Sequence, residues 1–189
     1  MRPAAAAGAP VRARATDIRL PGIILGVGLG GFVDGIVLHQ VLQWHHLLSS
    51  TGSDNVGIAA YPVTTLDGLR MNTLWDGLFH VVTWVAVLTG LALLYSRVTD
   101  SRGRLWRSQA LWGWALVGWG LFNLVEGIID HHLLGIHHVR SGPNQLWWDL
   151  GFLALGALLV VGGWLLARNA GQVTLPADGE RDAGSDRPR

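Results

Sequence analysis

Residues 126–138 read EGIIDHHLLGIHH, with four histidines and two carboxylates in thirteen positions between strongly apolar runs. Imidazole and carboxylate are the donors of zinc, iron, manganese and copper(II) sites, and they also serve as proton acceptors and donors. An ionisable side chain at membrane depth costs roughly 2.5–3.5 kcal/mol on insertion scales, so such groups ordinarily line a site or a pathway.

The stretch has a partner. Residues 34–46, DGIVLHQVLQWHH, align with it without a gap at an offset of 92, which pairs Asp34 with Glu126, Gly35 with Gly127 and His39 with His131. The doublets His45-His46 and His137-His138 also coincide, and GFVDG overlies NLVEG just upstream. A weaker echo, LWDGLFH (74–80) over WWDLGF (147–152), has an offset of 73. The unit is therefore read as a helical hairpin present twice in one orientation, the arrangement of parallel repeats about an axis along the membrane normal.

Each apolar run contributes a carboxylate, namely Asp34, Asp76, Glu126 and Asp149, and three runs add His39, His80 and His131. Asp130 is a fifth acid. These eight side chains are the candidate metal ligands. Asp76 and His80, four apart, share a helix face, as do Glu126 and Asp130; Asp34 and His39, five apart, diverge by about 140° around a regular α-helix. They meet only if the helix is distorted, which Gly35 would permit. The outer histidines His45, His46, His137 and His138 form a second candidate site, an interfacial rim or an entry funnel, since adjacent helical residues point about 100° apart and one ion does not take both. His132 aligns with Gln40 and is the histidine least expected to matter.

An isolated Asp–His pair would be read as a hydrogen-bonded helix contact. Four acids and three histidines in one layer are read as a polar centre holding a transition metal: zinc, iron, manganese or copper. Di-metal four-helix proteins offer a loose parallel, because their Glu-x-x-His spacing of three differs from the spacings of four and five here. The readings that remain are metal handling, a membrane di-metal oxidase or hydroxylase, and a proton or cation pathway. The pathway is disfavoured: between Val81 and Leu94 the only polar side chains are Thr83, Thr89 and the Trp84 indole. Haem ligation by paired histidines stays open, although no facing pair stands out for it, and no phosphate loop, nucleophile elbow or nucleic-acid patch occurs.

The elements that position these residues follow from composition. Half of the 189 residues are hydrophobic, 14% are charged, and there are ten tryptophans and 26 glycines. This balance points to an integral membrane protein. No cysteine is present, which excludes disulfides and thiolate sites. The fold is read as all-α, a polytopic bundle of four transmembrane helices over about 20–46, 72–95, 109–138 and 146–167. A segment 1–19 precedes this domain of about 20–167, and a polar tail, 168–189, read as disordered, follows it. All fourteen basic residues are arginine, and twelve of them flank the chain ends or the loop between the second and third spans. The positive-inside rule then places both termini in the cytoplasm and the acid–histidine layer in the outer half of the membrane. Gly22, Gly26 and Gly30, and likewise Gly31 and Gly35, recur every four residues, a small-residue pattern for close helix packing.

The blocks GFVDGIVLHQVLQWHH, WDGLFH and LFNLVEGIIDHHLLGIHHVR resemble a family of bacterial four-helix membrane proteins of unknown function. The resemblance extends over about residues 22–166. It implies a multi-pass protein of the bacterial plasma membrane, with the lipid bilayer as its first partner. It also implies an association with respiratory-oxidase assembly, and hence metal handling.

Overall fold

The computed structural model describes residues 16–50, 61–100 and 107–170. The N-terminal segment up to residue 15, most of the arginine-bearing loop and the tail beyond residue 170 lie outside them. Four helices, α1 (Arg19–Val33), α2 (Leu66–Asp100), α3 (Ser108–Glu126) and α4 (Gln145–Arg168), carry the chain. All four helical spans are long and apolar enough to cross a membrane. In hydrocarbon each backbone N–H and C=O must be satisfied within the segment, which makes helix the only solution for such runs.

Two of the helices change winding at the acid–histidine motif. α1 continues as a π-helix, π1 (Asp34–Val41), and α3 as a second, π2 (Gly127–Leu133). Both end the same way. Leu42 N–H donates to Val37 O and Leu134 N–H to Ile129 O, each five residues back, and Trp44 and Ile136 reach six back to Leu38 and Asp130. One residue beyond each π-helical cap the chain turns through a positive φ, at Gln43 (49°) and Gly135 (56°), 92 positions apart. Helix therefore stops at Val41 and Leu133, short of the histidine doublets. His45 and His46 instead lie extended in a two-residue antiparallel pairing with Ser49 and Ser50.

α1 and α3 form the centre of the bundle, with α2 packed on α1 and α4 on α3. The two glycine series of α1 serve different neighbours. A Cβ on Gly26 would lie 1.9 Å from Ala115 O of α3, whereas one on Gly31 would meet the Thr83 side chain of α2 at 2.4 Å. The reciprocal α3 position, Gly118, would meet Ile23 O at 2.0 Å. Backbones in direct contact leave no room for side chains between α1 and α3, so any cavity must form beside this seam.

Burial is inverted relative to a soluble domain. Val82, Leu158 and Val161 are exposed, while His39, His45, His137, Asn72, Asp76 and Asp149 are the most deeply buried large side chains. The core near the ends of π1 and π2 is polar.

Candidate metal centre

The π-helix reconciles the spacing of five with one shared direction. Its hydrogen bonds run from residue i to i+5, which stacks residues five apart on one face. His39 Nε2 accordingly lies 3.2 Å from Asp34 Oδ2, and His131 Nε2 lies 3.4 Å from Glu126 Oε1.

The N-terminal parts of α2 and α4 supply anchoring carboxylates. Asp76 Oδ1 accepts from His39 Nδ1 at 3.1 Å and from the Leu47 N–H at 2.8 Å, and its Oδ2 accepts from His46 Nδ1 at 2.6 Å. Asp149 repeats the pattern: Val139 N–H donates to Oδ1 at 3.0 Å and His138 Nδ1 to Oδ2 at 2.6 Å, while His131 Nδ1 faces Oδ1 at 3.4 Å. Phe79 and Phe152 flank His39 and His131 at ring distances of 5.6 and 5.4 Å.

The histidine doublets complete the centre. In a strand, successive side chains point to opposite sides, so His46 turns to Asp76 and His45 turns inward. His45 Nδ1 donates to Val139 O at 3.0 Å, and His137 Nδ1 donates to Leu47 O at 3.1 Å. His137 Nε2 approaches Glu126 Oε1 at 3.3 Å. Burial, together with the charge of neighbouring His131, pushes His137 down to about 3, and burial beside His137 holds His45 well below the usual histidine range. Both rings are therefore neutral, with a proton on Nδ1 and a lone pair on Nε2.

Four imidazoles thus turn Nε2 toward two carboxylates. One set, His45, Glu126, His131 and His137, places its ligand atoms within 4.8 Å of one another, and Asp34, His39 and His45 form a second such set. The buried Asp34 oxygens, Glu126 Oε2 and the Nε2 atoms of His39, His45 and His131 have no hydrogen-bond partner. Carboxylate oxygens facing ring nitrogens in a dry pocket are costly unless a cation, either a metal ion or the proton of a ring, balances them. Ligands at 2.0–2.1 Å around a tetrahedral zinc stand about 3.3 Å apart, which is the range of the Asp34–His39, Glu126–His131 and Glu126–His137 contacts. The residues present therefore fit a metal ion.

The chain belongs to the DUF2243 family of predicted membrane proteins. The family model matches residues 21–170, which include both π-helices, α2, α3 and α4, and all but the first two residues of α1. No curated protein and no solved structure matches the chain.

In this family member the structure brings Asp34, His39, Glu126 and His131 together with His45 and His137, two histidines that sequence spacing set apart as a second, outer site or an interfacial rim. Asp76 and Asp149 lie one shell further out, on the Nδ1 side of the rings, with His46 and His138 beside them. His80 stands apart: its Nδ1 donates to the Asp76 carbonyl of its own helix at 2.7 Å. His132 Nδ1 likewise donates to Gly127 O. Asp130 borders a cavity beside Asp34 and Glu126 rather than the imidazole cluster. Sequence reasoning missed the Leu47 and Val139 backbone groups that tie the halves together; their only signal was their place directly after the two aligned histidine doublets.

Proposed function

We propose that this protein is a membrane-embedded transition-metal-binding protein. Its centre takes cations between His39, His45, Asp34, His131, His137 and Glu126. The observation that carries the reading is the orientation of the four rings: each turns Nδ1 toward a carboxylate or carbonyl oxygen, and Nε2 of His39, His131 and His137 faces a buried carboxylate. Metal-binding histidines are held in this way, because the outer acceptor fixes the tautomer and raises the basicity of the ligating nitrogen. Nitrogen and oxygen donors without sulfur suit zinc, iron, manganese or copper(II). Arginine placement supports a centre in the outer half of the plasma membrane with both termini cytoplasmic, and the matching contacts at offsets of 92 and 73 support a duplicated hairpin.

A second reading rests on the same ligands. Each hairpin offers two histidines and one carboxylate, the composition of non-haem iron sites with open positions. A redox-active iron centre reacting with oxygen would make the protein a membrane oxidase or hydroxylase, whereas a zinc-loaded or redox-silent protein excludes this.

Elemental analysis of protein purified without chelator tests the main reading. About one or more equivalents of one transition metal are expected, and less than about one tenth of an equivalent of any, unchanged in His39→Ala and His131→Ala, would overturn it.

A further inference from the structure

Two apolar cavities flank the polar centre at matching places. One, of about 320 Å³, is lined by Val27, Asp34 and Leu47 with Phe79 of α2 and Phe122, Glu126 and Asp130 of the α3–π2 segment. The other, of about 300 Å³, is lined by Trp119, Val139, Phe152, Gly30, Asp34 and Leu38, among others. At offsets of 92 and 73, Val27 corresponds to Trp119, Leu47 to Val139, Phe79 to Phe152, Gly30 to Phe122, Asp34 to Glu126 and Leu38 to Asp130. Volumes of this size lie at the lower end of small-molecule sites.

The two cavities differ where it matters for binding. The second is walled by Trp44 and Trp148, over whose rings Arg140 lies at 5.1 and 5.5 Å. The first lies between α2 and α3, which meet through Phe79 and Phe122, and its lip is formed by Leu121 and Val125, the latter 56% exposed. On a transmembrane helix those residues meet lipid, not water. The inner end is formed by the buried Asp34 and Glu126, with the unsatisfied Asp34 oxygens and Glu126 Oε2. Asp130 adds a half-buried carboxylate where the other cavity has Leu38.

We propose that the cavity between α2 and α3 is a lateral-entry binding site for a neutral, lipid-soluble molecule with an aromatic or alkyl body and a hydroxyl group that donates a hydrogen bond to Asp130. The apolar lip at Leu121 and Val125 disfavours a water-soluble charged molecule. The three carboxylates exclude an anion by repulsion. Phe79 and Phe122, with ring centroids 6.0 Å apart, offer aromatic walls. The proposal rests on the metal-centre reading only for what the occupant meets at the inner end; binding itself requires no metal.

The test uses full-length protein in lipid nanodiscs and 4-octylphenol carrying a diazirine in its alkyl tail. Cross-linked residues are mapped by mass spectrometry. Labelling is expected at Leu121, Phe122 and Val125. It should be competed by 4-octylphenol, at least about ten-fold less well by 4-octylanisole, which lacks the hydroxyl proton, and reduced by a similar factor in Asp130→Leu. Any labelling of the second cavity should not respond to Asp130→Leu, which serves as an internal control for folding. Labelling spread over the lipid-facing surface, equal competition by the anisole, or labelling unchanged in Asp130→Leu with Val125→Trp also without effect would overturn the proposal. Protein that lacks metal yet labels at these residues sinks the metal reading and leaves this one standing; protein that carries metal yet fails to label there does the reverse.

Discussion

His45 and His137 stack face to face, with ring centroids 4.5 Å apart and planes 8° from parallel. Each ring donates from Nδ1 to a carbonyl in the other half of the molecule, His45 to Val139 and His137 to Leu47. The contact is reciprocal, so each half fixes the inner ring of its counterpart. Two neutral imidazoles in this arrangement hold their Nε2 lone pairs at the polar centre with little freedom to turn away, which is the preorganisation a metal site requires.

That relationship ranks the eight histidines by consequence. Replacing His45 or His137 by alanine should abolish stoichiometric metal, whereas His80→Ala and His132→Ala, whose rings bond to the backbone of their own helix segments, should retain it. Elemental analysis of the four variants checks this. Full metal content in His45→Ala together with His137→Ala would contradict the inner placement of the doublets.

Asp76 and Asp149 act through the rings they hold. Asp76→Asn keeps the shape but removes the charge that fixes the Nδ1 protons of His39 and His46, and loss of such an outer-shell partner typically lowers metal affinity about 10–100-fold. Competition with a chelator of known affinity should show a drop of that size for Asp76→Asn and for Asp149→Asn. The more loosely held His131 predicts the smaller effect for Asp149.

The α1–α3 seam is governed by backbone contact. A methyl at Gly26 would overlap the Ala115 carbonyl, so Gly26→Ala should cost about 1–3 kcal/mol or more of stability by overpacking. Gly162→Ala, where a Cβ meets nothing within 4 Å, should be neutral. Thermal unfolding in one detergent compares the two, and equal midpoints would argue against the close approach.

Orientation is open to direct labelling because the chain has no cysteine. Pro143→Cys, exposed between π2 and α4, should react with a membrane-impermeant maleimide added to intact cells, and Arg107→Cys, at the start of α3, only after lysis. The opposite pattern would invert the positive-inside assignment.

Much of this arrangement was legible in the sequence, and the rest was hidden for one physical reason. The 92-residue alignment located Asp34, His39, Glu126 and His131, because identity and spacing survive in a linear string. The helical spans were equally visible in their length and apolarity. The inward position of His45 and His137 was not, because an α-helix was carried through them: in a helix, neighbours diverge by about 100° and a doublet reads as a rim. In the structure the helix stops at Val41 and Leu133, and beyond it each doublet sends one ring inward and the other to an aspartate. The signal was present in the two spacings of five, which an α-helix cannot satisfy and a π-helix does.

The winding itself can be put to the test. A π-helical stretch behaves as an α-helix with extra residues accommodated in it, and such segments occur often at functional sites. Deleting Val37, whose side chain is exposed and whose carbonyl accepts one of the i→i+5 bonds, should let π1 relax toward α-geometry and bring the histidine to four residues from Asp34. Residues four apart also share a face, so the acid and the ring could still meet. The chain beyond them, however, would be rotated and shortened by one residue, withdrawing His45 from Val139 and His46 from Asp76. The deletion should therefore abolish metal binding while circular dichroism shows helical content unchanged. A similarly exposed deletion in the middle of α2, such as Val82, changes no π-helical winding but shifts Asp76 relative to the α1 seam, and should weaken binding without restoring α-geometry in π1. Retention of a full metal complement after deletion of Val37 would mean that the π-helix is not what directs these side chains to the centre.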